Sequence, residues 1–188
     1  MIDIEKILTD CAEYISQLKK CPKGYFLYRG SHYQIPDAKW FESRLKERAP
    51  VNTPQVLHDQ VNNTFESQFG WKIRNGVFCY GFTSLEKIPE DLGYGTQYLC
   101  FPIGGFEFVY SPKYFDLCGY FHELNYQISE NEISELIFKN ETLEGAIDSN
   151  KHRNGLSNEI SVKAEAYYLI DINYRIELAD IIWPIKVV

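Results

Sequence analysis

The chain has 188 residues, of which 45% are apolar and 15% aromatic, and its 19 basic and 26 acidic residues leave a formal charge of -7. That length and apolar share predict one globular domain spanning 1–188, uninterrupted by any low-complexity or Pro/Ser-rich linker. The acidic balance excludes a protein that grips nucleic acid through its overall field, while leaving room for a local basic groove.

From Ile4 to Leu18, the residues Ile4, Ile7, Leu8, Cys11, Ile15 and Leu18 recur at helical spacing, which predicts one amphipathic helix with Asp3 as N-cap and Pro22 beyond its end. "GYFLYRG" reads as a strand, and a polar, partly basic connector follows over 37–48. In "NTPQVLHDQVNNTFESQFGW", Thr53 suits an N-cap and Pro54 the first helical position. Leu57, Val61, Phe65 and Phe69 fall four apart, and Gly70 suits the stop, so a second helix is predicted. "GVFCYGFTS", "TQYLCFPI" and "FEFVYS" are rich in Val, Phe and Tyr and cut by Gly and Pro, as strands and turns are. "ISENEISELIFKN" and "ETLEGAID" read as helices, and "EISVKA", "AYYLIDI" and "IIWPIKV" as three further strands. No strand-helix alternation repeats, so the predicted class is α+β.

Cys11, Cys21, Cys79, Cys100 and Cys118 form an odd set with no C-x-x-C pair and no histidine at zinc spacing, so neither a disulfide framework nor a metal site is expected. The start "MIDIEKILTD" is acidic where a signal peptide is basic, and no apolar run reaches membrane-spanning length, so the expected location is cytoplasmic, with no membrane partner.

Polar chemistry meets the predicted strands at three places. Arg29 closes the first, Thr83 and Ser84 close "GVFCYGFTS", and Glu159 opens "EISVKA" after a Gly-containing loop. Each has a plain reading on its own: a structural ion pair, a turn cap, a solvated strand start. A guanidinium at the end of an apolar strand nevertheless needs an anion for its fork of donors.

An arginine on an early strand, a Ser/Thr pair on a middle strand and a glutamate on a late one resemble the Arg-Ser-Glu arrangement of ADP-ribosyltransferases of the cholera-toxin type. The likeness is sharpest in "LYRG" and in "NEISV" followed by "AYYLI", and looser in "RNGVFCYGFTSLEKIPEDLGYG". These cover about a quarter of the chain, although the order of elements fits over most of it. The resemblance implies a split β-sandwich with flanking N-terminal helices and NAD, as substrate, in the cleft. It also implies a toxin or phage-conflict effector, with an antitoxin or inhibitor protein as a further partner.

On that resemblance, Glu159 is the catalytic carboxylate facing the charge that develops on the ribose as the nicotinamide bond breaks. Arg29 meets a phosphate or ribose oxygen, and Gly30 lets its backbone approach the nicotinamide amide. Ser84, or Thr83, orients the glutamate, and Phe82 or Tyr94 stacks on the nicotinamide ring. Glu165, in "KAEAYY", is the rival to Glu159. Alternation along "ISVK" places it on a bend, which favours Glu159.

Relatives that modify arginine usually carry a second Glu or Gln two places before the catalytic glutamate. Here that place is Ser157, which argues against an arginine acceptor. Lys151, His152 and Arg153 precede the glutamate and suit nucleic-acid phosphates, as do Arg44, Lys46, Arg48, Lys72 and Arg74 if they line the same side. His58 and Asn62, four apart on the second helix, are read as the edge of a buried face. The expected activity is therefore mono-ADP-ribosyl transfer from NAD to a macromolecule, leaning to an RNA or DNA base. The alternatives are a protein acceptor, NAD glycohydrolysis, or a non-catalytic module in which Arg29 and Glu159 pair with each other.

Overall fold

A computed structural model describes residues 2–43, 45, 48–87, 95–134, 136, 141–149 and 156–184. Among these residues seven strands, β1 (Phe26–Ser31), β2 (Ala38–Glu42), β3 (Val77–Phe82), β4 (Thr96–Ile103), β5 (Glu107–Tyr110), β6 (Leu156–Lys163) and β7 (Ala166–Asp171), form one sheet. Its order is β2-β7-β4-β1-β3-β6-β5, with every neighbouring pair antiparallel. Seven helices accompany it: α1 (Ile4–Asp10), α2 (Ala12–Leu18), α3 (Gln55–Phe69), α4 (Leu117–Glu123), α5 (Glu130–Ser134), α6 (Leu143–Ile147) and α7 (Arg175–Ile182). The class is α+β.

The central seam of the sheet is short. Strands β1 and β3 pair only at Phe26↔Phe82, Leu27↔Gly81 and Tyr28↔Tyr80. Beyond Tyr28, β1 stays with β4 through Ser31, while β3 stays with β6 down to Val77↔Val162. The sheet therefore opens between the two strands just where Arg29 follows Tyr28.

Two apolar clusters hold these elements. The larger packs Ile7, Tyr14 and Leu18 of the N-terminal helices against Phe26, Leu99, Phe101, Ile160 and Ile170 of the sheet. The smaller joins Leu57, Val61 and Phe65 of α3 to Ile73, Val109, Leu117 and Phe121. Along β3 and β6 the alternation is regular: Val77 with Val162 and Cys79 with Ile160 are register pairs facing the larger core. The intervening pairs, Phe78 with Ser161 and Tyr80 with Glu159, lie on the opposite face. Between Tyr80 and Phe82 the register shifts, so Ser157 and Asn158 together face Gly81 as a β-bulge, and the Ser157 hydroxyl accepts the Gly81 N–H at 2.6 Å.

Several local expectations are revised. The predicted N-terminal helix is two, divided at Cys11 (φ -103°, ψ 23°), with the Asp3 carboxylate capping the first at Lys6 N. On α3, Gly70 ends the helix in the left-handed region (φ 76°) as expected, but Pro54 holds the N-cap place and Thr53 does not cap. The Thr53 hydroxyl accepts from the Arg74 guanidinium instead. The connector over 37–48 contains β2, an edge strand paired only with β7, whose Lys39 and Trp40 are exposed. "IIWPIKV" is not a strand where it is described. It ends α7, because Leu178, Ala179 and Ile182 share one buried helical stripe. Helix α4, capped by the Asp116 carboxylate on Cys118 N and Gly119 N, lies in a stretch to which no element was assigned. Glu159 does not open β6 but is its fourth residue.

A methyl group at Gly81 would sit 2.6 Å from Ile147 Cγ1 and 2.7 Å from its Cα, so α6 lies directly on this glycine. Gly81→Ala should destabilise the protein by about 1–3 kcal/mol through overpacking. Chemical denaturation checks this, and an unchanged midpoint would contradict the close packing.

Candidate functional site

The opening between β1 and β3 leads into a cavity of about 160 Å³, lined in part by Arg29, Gly30, Phe78, Tyr80 and Glu159. The segment 48–53, His58 of α3, Arg74 of a single 3-10 turn (Ile73–Asn75) and Asp116 with Cys118 at the start of α4 complete it. A wider hollow of about 690 Å³ shares Val51, Asn52, Thr53, Asp116 and Cys118 with it. A third, of about 320 Å³, lies on the far side of Arg29 and Arg48.

Phe78 organises the cations. Arg29 donates from Nη1 to the Phe78 carbonyl at 2.7 Å, bridging the opened seam, and lies over the Tyr167 ring at 5.7 Å. Arg48 and Arg74 stack on the Phe78 ring at 4.3 and 5.1 Å. Arg48 also donates to the carbonyls of Gly76 (3.1 Å) and Arg74 (3.5 Å). Burial, then repulsion from Arg29 and Arg74, pulls the Arg48 guanidinium down to about 10.

Glu159 is held from both sides. Its residue pairs with Tyr80 across β3, and its backbone N–H donates to Phe115 O at 2.7 Å, drawing the start of α4 against the strand. The carboxylate is only 10% exposed, and Arg74 Nη1 lies 3.9 Å from Oε1. Burial raises its pKa to about 7. Arg74, Arg48 and Arg29 oppose that rise, while Asp116 adds to it.

A polar chain on α3 supports this corner. Asn62 Oδ1 accepts from Arg74 N at 2.9 Å, so its amide nitrogen faces Asn75 Oδ1 (3.1 Å) and His58 Nε2 (3.0 Å). Asn75 Nδ2 in turn donates to Leu45 O. With Nε2 accepting, the proton of His58 sits on Nδ1, which is buried and has no hydrogen-bond partner among the described residues. Burial first, and Arg74 second, push the His58 pKa down, which keeps the ring neutral.

The structure thus brings Arg29, Gly30 and Glu159 to one cavity and leaves the middle motif outside its lining. Ser84 lies beyond β3, where its hydroxyl accepts from Glu86 N and Lys87 N and shapes a turn. Thr83 is half-buried beside it. Phe82 is a core residue, edge-on to Tyr28 at 5.8 Å. Tyr94 and the Lys151–Arg153 loop lie outside the described residues, as do Arg44 and Lys46. Glu165 is exposed on the bend between β6 and β7. Ser157 is buried and bonded to Gly81 N and Asn158 O. Arg48 and Arg74, expected along a nucleic-acid face, turn inward. The N-terminal helices α1 and α2 pack in the larger core and supply no lining residue, whereas α3 supplies His58.

Asp116, His58, Arg48 and Arg74 are the lining groups that sequence reading did not assign to the site. The available signal was His58 with Asn62, a polar pair one step along from the buried Leu57–Val61 stripe. Among the described residues no group of three or more His, Cys, Asp or Glu side chains is placed to hold a metal, and no helix is long and apolar enough to cross a membrane.

The raised pKa of Glu159 has a definite sign in folding. The native state binds this proton more tightly than the unfolded chain, so the stabilisation is complete below the ordinary carboxylate value and is lost as pH rises through about 7. The loss is on the order of 3 kcal/mol. Glu159→Gln should flatten the fall in stability between pH 4.5 and 8. Denaturation midpoints across that range check this, and an unaltered slope would mean that Glu159 titrates normally.

A scan of protein-family models found no match to the chain, and searches of curated proteins and of solved structures found none either.

Proposed function

We propose that the protein is an NAD-dependent mono-ADP-ribosyltransferase that cleaves the nicotinamide–ribose bond and transfers ADP-ribose to a macromolecule. One observation carries the reading: Arg29 and Glu159, two of the three positions that the Arg-Ser-Glu resemblance singles out, line a single cavity together with Gly30. The donor set suits the substrate. Arg29 and Arg48, both held at Phe78, offer a pyrophosphate charge-assisted bonds, in a protein whose net charge is otherwise -7.

The enclosed volume of about 160 Å³ is below the ~300–1,000 Å³ usual for ligand pockets. It suits the ring-and-ribose end of the dinucleotide, with the flanking hollows taking the remainder. In this reading Glu159, ionised above about 7, stabilises positive charge developing on the ribose. Gly30 admits the carboxamide close to the backbone, and Arg29 holds an anionic oxygen. The hydroxyl role assigned to Ser84 or Thr83 stays part of the proposal only if the turn after β3 rearranges with substrate bound.

The acceptor we propose is a nucleic-acid base rather than an arginine side chain. Ser157 supports this, since its hydroxyl is spent on Gly81 N and Asn158 O and no carboxylate takes its place. Incubation with labelled NAD and a cell lysate, with the label divided among RNA, DNA and protein, tests it. Nicotinamide release without transfer would make water the acceptor.

Glu159→Gln should retain NAD affinity while lowering nicotinamide release by about a hundredfold or more. Full turnover in that variant would remove Glu159 from the chemistry. Arg29→Lys should weaken NAD binding by roughly tenfold or more, since one ammonium cannot replace a fork of donors. Calorimetric titration checks this, and undiminished affinity would exclude Arg29 from the NAD site.

A further inference from the structure

We propose that Arg74 is a positioning residue for the Glu159 carboxylate, holding it ionised and aimed into the cavity. The inference rests on Glu159 being the carboxylate of the proposed reaction. Arg74 is 7% exposed, and among the described residues Glu159 is the one acidic group within 4 Å of its guanidinium. Its Nη2 donates to Thr53 Oγ1 at 3.3 Å, its Nε has no partner among the described residues, and its Nη1 stands 3.9 Å from Glu159, beyond hydrogen-bond length. A guanidinium so far from water needs an anion, and among the described residues Glu159 is the carboxylate within salt-bridge reach.

The residue cannot easily drift. Phe78 and Phe121 flank its guanidinium at 5.1 and 5.9 Å, Asn62 accepts its backbone N–H, and its carbonyl faces Arg48. The polar chain from His58 through Asn62 to Asn75 therefore anchors the turn that carries Arg74. Arg29 from β1, Arg48 from the segment before α3 and Asp116 from the cap of α4 also act on Glu159, and Tyr80, His58 and Cys118 share the cavity. Among the cations Arg74 exerts the largest pull, matching its place as the nearest.

The test uses the full chain. The Glu159 carboxyl is titrated by carbon-13 NMR in the wild type and in Arg74→Gln, Arg74→Met and Arg74→Lys. Methionine keeps an unbranched stem against the two phenylalanines, so a neutral variant remains measurable if glutamine does not fold. Loss of the charge should raise the Glu159 midpoint by about one unit or more, whereas lysine should keep most of the wild-type value. A midpoint that does not move in a folded neutral variant overturns the proposal. In nicotinamide release, the neutral variants should lose kcat at pH 7, keep the KM for NAD within about threefold, and recover as pH rises past the new midpoint. A higher KM with an unmoved midpoint would make Arg74 a ligand-binding group and likewise overturn it. If the wild type releases no nicotinamide, the NAD reading fails while the titration still decides the role of Arg74.

Discussion

Strands β1 and β3 stop pairing after three residues, and the backbone they leave unpaired has to be satisfied by something other than a ladder. Arg29 does this by reaching from β1 to the Phe78 carbonyl, one hydrogen bond in place of the strand pairing that the divergence removes. A buried carbonyl left without a donor costs about 1–3 kcal/mol, so the contact stabilises the gap as well as crossing it. The gap is the cavity. Phe78, fixed at its carbonyl by one arginine, offers its ring to two others, and the cationic wall follows from that single anchored residue.

The charges in this cavity are poorly compensated, and burial is the reason. It lowers the Arg48 value to about 10 and raises that of Glu159 to about 7, so each group is pushed toward neutrality although opposite charges lie within reach. An ion pair at 3.9 Å relieves only part of this. Geometry imposes the shortfall: Glu159 is tied to β3 by register and to Phe115 by its N–H, while Arg74 is tied to α3 through Asn62. Neither backbone is free to close the remaining distance. An anion reaching Arg29 and Arg48 would meet cations already in place.

What could be read in advance was whatever a local pattern specifies. The stripe Leu57–Val61–Phe65 with Gly70 marked α3, and β-branched and aromatic runs marked β3, β4 and β5. Arg29 and Glu159 were found through the Arg-Ser-Glu resemblance, and with Gly30 they share a cavity in the fold. Strand β2 was not legible, because an edge strand of five residues with Lys39 and Trp40 exposed exists only through its pairing with β7. Helix α7 was misread because Ile181, Ile182 and Trp183 suit a strand locally, and only packing of Leu178, Ala179 and Ile182 selects the helix. Ser84 lies four residues past Tyr80, the register partner of Glu159, so the strand carries it away from the cavity and its hydroxyl settles on the nearest backbone donors. Arg48 and Arg74 read as basic sites along a nucleic-acid face, because nothing in a sequence announces that a basic residue will be buried against Phe78.

Among the described residues strand β2 has a neighbour on one side only, and its outer rim bears directly on how the protein behaves at high concentration. A bare row of amide and carbonyl groups invites another chain to dock strand against strand, the first step toward fibrils. Lys39 and Glu42 are exposed along that rim, and a second copy approaching in the same way would have to strip water from both charges. The brevity of the strand and these two ionised side chains act as gatekeepers, discouraging self-assembly at the border most open to it.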